Sequence, residues 1–151
     1  MNLTSVPETT VWPVTQYVFV EKIGPFQQTA QAAWQEAHKL VPALAQQNKI
    51  VGYTSLYKTG PKIYRAGFTL AGPPVNLPEG LRYEKFAGGK YSRFVLTGSY
   101  TQLGEASGKV WKTVEEKGIA LRDDFAIENY VNDPRVTPED QLITEILIPT
   151  A

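Results

Sequence analysis

The sequence predicts an α+β domain made of two similar strand-helix-strand-strand halves related by a pseudo-two-fold axis. Strand-like and helix-like segments follow one another in the same order twice. A Pro- and Gly-rich stretch, 71–80, separates the two series. A constant shift of 77 residues (111 − 34, from Trp34 to Trp111) also carries Val18 to Val95, Ile50 to Ile127, Tyr53 to Tyr130 and Pro61 to Pro138. Each match falls in the corresponding element, as an internal repeat requires. A chain of 151 residues is enough for one domain with a substantial core. The expected organisation is therefore a single domain over 1–151, with halves at about 14–72 and 81–149.

Residues 1–13 lack a periodic pattern and read as an irregular lead-in. Residues 14–21 are rich in β-branched and aromatic side chains and read as a strand, ended by Gly24-Pro25. Phe26, Ala30, Ala33, Trp34, Ala37, Leu40, Val41 and Leu44 recur at three- and four-residue steps, which is one apolar helix stripe. Pro42 within that stripe predicts a kink or a break into two short helices. Segments 49–57 and 62–70 read as strands around a Lys-Thr-Gly-Pro turn.

Beyond the 71–80 linker, 81–86 and 90–98 read as strands joined by a hairpin turn at Gly88-Gly89, with 81–86 opening the second half. A loop over 99–107 leads into a helix over 105–117. Val110, Trp111 and Val114 point inward on that helix and Gly118 stops it. The last strands are 125–131 and 142–148, with a polar loop after Asn132-Asp133-Pro134 between them.

The strand at 125–131 holds the candidate site. Period-2 alternation puts Phe125, Ile127, Asn129 and Val131 on one face and Ala126, Glu128 and Tyr130 on the other. If both faces are covered, Glu128 is an interior carboxylate. Such a group is costly unless it is paired or protonated. The 77-residue shift maps it onto Val51, so the acid belongs to one half only. The seam between the halves is then the expected cleft.

Composition excludes several function classes. Lys+Arg and Asp+Glu are equal at 15 each, without the basic excess that phosphate binding requires, so no nucleic-acid partner is expected. No cysteine and one histidine, His38, leave no thiol nucleophile, no zinc site and no serine triad. His38 reads as a surface residue and not as a haem ligand, and neither cofactor nor metal is expected. No apolar run reaches membrane-span length, and the N-terminus lacks the pattern of a signal peptide. The expectation is a cytoplasmic chain without membrane contact.

Several motifs resemble those of one family. Gly88-Gly89-Lys90-Tyr91-Ser92-Arg93-Phe94, Tyr64-Arg65-Ala66-Gly67, Phe125 to Pro134 and Leu142 to Pro149 are similar, in order and spacing, to motifs of the GyrI-like small-molecule-binding domain. That domain also serves as the effector domain of multidrug-responsive bacterial transcription activators. The resemblance implies a duplicated fold with a central cleft, in which an acid at Glu128 meets hydrophobic, often cationic, aromatic compounds among aromatic side chains. Tyr130 shares its face. Phe19, Tyr57, Tyr64, Phe68 and Trp111 are the other ligand-binding candidates, although strand packing, and helix-core packing for Trp111, explains any one of them as well.

Some members are similar enough to hydrolases of cyclopropane-bearing genotoxins to leave enzymatic activity open. Glu128 and Tyr130 would then be catalytic. Others modulate gyrase, so a protein-interaction role is a further alternative, with no protein partner specified. The chain leaves no room for a helix-turn-helix and is expected to act as a stand-alone module.

Overall fold

The computed structural model describes residues 1–151 and divides them into two compact units, 13–88 and 1–12 with 89–151. It has two helices and nine strands, an α+β fold.

Unit 13–88 contains β3 (Thr15–Ile23), α1 (Phe26–Ala45), β4 (Ile50–Lys58), β5 (Ile63–Leu70) and β6 (Arg82–Phe86). β5 lies between β4 and β3, and β6 adds to the far side of β3, all antiparallel. Tyr17, Val18, Phe19 and Val20 are consecutive buried residues, because both faces of β3 are covered. α1 packs on β3 and β5 through Ala33, Ala37 and Leu44. It continues through Pro42 without the expected break. Pro42 begins the last turn, so its missing N–H forfeits one helical bond, and the fully buried Leu44 anchors the turn beyond it.

Unit 1–12 with 89–151 contains β1 (Asn2–Leu3), β2 (Glu8–Trp12), β7 (Gly89–Thr97), α2 (Leu103–Glu116), β8 (Ala126–Tyr130) and β9 (Ile143–Pro149). β9 lies between β8 and β7, and β1 and β2 pair with β7.

The structure corrects four sequence expectations. The lead-in 1–13 forms β1 and β2, whose hydrogen bonds go to β7, far away in sequence and invisible to local pattern. β6 pairs with β3 and not with β7, so Gly88-Gly89 is the passage between units and not a hairpin turn. Segment 71–80 stays within the first unit, tied down where the Asn48 amide accepts from Val75 N (2.7 Å) and donates to its carbonyl (2.8 Å). The loop expected over 99–107 is a 3-10 turn at Tyr100–Gln102 running straight into α2. Ser99 Oγ accepts from Thr101 N there, the capping signal that Gly104 and Gly108 obscured.

The gapless 77-residue shift also fails beyond β4 and β8. With Tyr53 set against Tyr130, the residues paired with them are Phe68 and Thr144, and those paired in turn are Val18 and Leu96. The shift is 77 in the first pair only. It is 76 (144 − 68) in the second and 78 (96 − 18) in the third.

Candidate functional site

β8 is positioned by one neighbour within its unit, β9, with Glu128 opposite Ile146 and Tyr130 opposite Thr144. Residues opposite one another share a face. Glu128 and Tyr130 therefore lie with Thr144, Ile146 and Ile148 of β9 and with Phe94 and Leu96 of β7. The β7 and β9 members of this face are buried. On the opposite face Asn129 Nδ2 donates to Glu145 Oε1 (2.7 Å), and Arg93 pairs with Glu145.

The surroundings of the Glu128 carboxylate hold its pKa above the usual range. Burial raises it, and the hydrogen bond from Tyr130 Oη to Oε1 (2.8 Å) pulls only part of the way back. Although the residue as a whole keeps some accessible area, the carboxyl end is desolvated. No Lys or Arg pairs with it, whereas Glu21, Glu145 and Asp124 each have an arginine.

Tyr100 enters from the 3-10 turn after β7, its ring meeting that of Tyr130 edge-on with centroids 5.6 Å apart. Burial, and then the charge of Asp133, raises the Tyr100 pKa, so its hydroxyl stays a proton donor at neutral pH. Tyr100 Oη is buried with no hydrogen-bond partner, and so is Thr144 Oγ1. Sequence reading passed over both residues. Thr144 could have been found as the one polar residue in the inward phase of Leu142, Thr144, Ile146 and Ile148. Tyr100 sits in a segment read as loop and gave no such signal.

Trp111 lines a depression of about 690 Å³ on α2, with Gly108, Val114, Gly118, Ile119 and Leu121, and its Nε1 is buried without a partner. A second hollow of about 560 Å³, polar in character, is lined by Thr97, Ser99, Gln102, Glu139 and Asp140 among others. Glu128 lines neither.

Phe19, Tyr57, Tyr64 and Phe68 belong to the first unit and do not share a face. Phe68 opposes both Val18 and Tyr53, while Tyr64 opposes Tyr57, all on one side of that sheet. Phe19 points the other way, stacked on Tyr17 (5.3 Å) and covered by the Arg65 guanidinium at 4.2 Å. Arg65 in turn donates to Glu21 and Glu84, each at 2.8 Å.

Under α1, Trp34 Nε1 donates to Ser55 Oγ (3.1 Å) and Tyr64 Oη (3.0 Å), which bond each other at 2.7 Å. Phe68 is fully buried and meets Tyr53 edge-on at 5.0 Å. These rings pack the first unit's core. His38 is exposed, its ring against Trp34 and Tyr53.

The fold is mixed α+β, and it holds a desolvated carboxylate hydrogen-bonded to a tyrosine. The chain belongs to the GyrI-like small-molecule-binding domain family, whose profile matches residues 7–151. No curated protein matches the sequence.

Among solved structures, the C-terminal domain of EcmrR is similar at 15% identity over 100% of this chain and 99% of that one, TM-score 0.76. SAV2435 bound to tetraphenylphosphonium is 14% identical over 96% of this chain and 93% of that one, TM-score 0.74. A protein described as a hydrolase from Listeria innocua is 11% identical over 98% and 93%, TM-score 0.62. At these identities the likeness is one of fold. No helix is long and apolar enough to cross a membrane.

Proposed function

We propose that the chain is a single ligand-binding domain, built by duplication, that captures hydrophobic aromatic cations at Glu128. One observation carries the reading: a desolvated carboxylate whose only partner is the neutral Tyr130 hydroxyl. Burying an unpaired carboxylate costs stability. A cation placed beside it recovers Coulomb energy that a neutral molecule of the same shape cannot. Tyr130 and Tyr100 supply ring faces and edges for stacking and cation–π contact. The printed ligand of one structural neighbour, tetraphenylphosphonium, is of this chemical class. The duplication is supported by the matching strand orders, β4-β5-β3-β6 in one unit and β8-β9-β7-β2 in the other. A ligand cleft, binding of several unrelated drugs and a cytoplasmic setting belong to the same proposal.

A second reading is hydrolysis of a strained electrophilic ring, supported by the hydrogen-bonded Glu128–Tyr130 pair and by the hydrolase among the structural neighbours. A carboxylate with a raised pKa can take a proton from water as the water oxygen bonds to a ring carbon. The strained C–C bond breaks, its electron pair passes to a conjugated acceptor on the substrate, and a tyrosine hydroxyl can hydrogen-bond that acceptor. Titration with tetraphenylphosphonium followed by mass spectrometry of a cyclopropane-bearing probe separates the two. Binding of the first with intact recovery of the second supports capture alone. Turnover of the probe, lost in Glu128→Gln, supports the enzyme.

A further inference from the structure

Two buried hydroxyls on the Glu128 side of β8 have no partner in the protein. Thr144 is 0% exposed, directly opposite Tyr130, and its Oγ1 bonds to nothing. Tyr100 Oη is likewise buried and unpaired, on a ring that touches Tyr130. A buried hydroxyl without a partner is a standing cost, which a residue of the same shape lacking the oxygen would remove.

The first unit shows the economical alternative. There the residue opposite Tyr53 is Phe68, fully buried and packed ring to ring. Where the first unit puts a ring opposite its tyrosine, the second puts a small hydroxyl. Thr144 thus gives up both packing volume and hydrogen-bond satisfaction on the face that carries the unpaired acid.

We propose that Tyr100 and Thr144 are specificity-determining residues of the Glu128 site, donating hydrogen bonds to an acceptor oxygen on the aromatic cation bound there. This rests on the reading of Glu128 as a cation-binding carboxylate and narrows its ligand class. The preferred compound carries a positive charge and, on its ring system, a carbonyl or ether oxygen. A purely hydrocarbon cation satisfies the acid but leaves both hydroxyls unpaired. A site built to hydrogen-bond discriminates against the analogue that cannot.

Two matched probes test this by calorimetry on the full chain: phenyltrimethylammonium and its 4-acetyl derivative. The acetyl compound is expected to bind about 5-fold tighter, the range one buried neutral hydrogen bond supplies. Tyr100→Phe and Thr144→Val should each shrink that ratio toward one without lowering the melting temperature. Thr144→Ser keeps the hydroxyl and should keep the ratio. Equal affinities for the two probes, both weakened in Glu128→Gln, overturn the inference and leave the cation-binding reading standing. So does a ratio that survives both hydroxyl deletions. Failure of both probes and of tetraphenylphosphonium to bind overturns that reading, and the inference with it.

Discussion

Tyr130 Oη donates to Glu128 Oε1 at 2.8 Å, two residues apart on one strand and on one face of it. The bond gives an otherwise unpaired acid one neutral donor. It moderates the effect of burial without reversing it, so the carboxyl remains harder to ionise in the folded protein than in the unfolded chain.

The stability of the fold should therefore fall as pH rises across the Glu128 titration. Below the unfolded value, near 4.5, the group is protonated in both states and costs nothing. As pH rises toward the higher folded value, the unfolded chain ionises first and gains relative to the native state. Urea unfolding at a series of pH values should show Glu128→Gln gaining on the parent across this window and levelling off above it. Parallel profiles would contradict the burial.

Arg65 predicts a slope of the opposite sign. Burial pushes the Glu21 carboxyl up, but Arg65 and then Arg82 more than offset it and hold its pKa below the usual range. That contribution is present at neutral pH and is lost as pH falls through the depressed folded value. Arg65→Met should cost about 3 kcal/mol at pH 7 by leaving a mostly buried acid with an exposed partner only. It should also flatten the acid limb of the stability profile, checked by the same unfolding series.

Gly67 is predicted to resist replacement. A Cβ there would lie 2.3 Å from the Val18 carbonyl oxygen and 2.7 Å from Tyr17 Cζ, a ring whose hydroxyl is bonded to Thr54 O at 2.7 Å. Backbone and an anchored ring cannot both yield, so Gly67→Ala should destabilise by about 1–3 kcal/mol or more in denaturant titration. Gly108→Ala, with nothing near the added methyl, is the control and should be neutral or stabilising.

The pairing of Glu128 with Tyr130 was legible because period 2 is a local property of a strand. The α+β class and both helices were legible for the same reason, from apolar stripes that include Ala33, Ala37 and Leu44 in one and Val110, Trp111 and Val114 in the other. What faces a strand depends on register with distant segments. The candidate aromatics Phe19 and Phe68 therefore looked alike in sequence and lie on opposite faces, separated by the single-residue stagger of β3 against β5. The only sequence mark of Thr144 is a polar residue in the inward phase of an apolar strand, where one hydroxyl among isoleucines also fits ordinary strand composition. That its hydroxyl is buried without a partner depends on how distant strands pack, not on local sequence.

Calorimetric titration of tetraphenylphosphonium into the parent chain and Glu128→Gln decides whether Glu128 supplies charge to a bound cation. Binding should strengthen as pH rises through the carboxylate's titration in the parent, and should be at least about 10-fold weaker and flat with pH in the variant, as loss of a buried charge partner requires. Equal affinities and equal pH profiles for the two proteins would contradict that role.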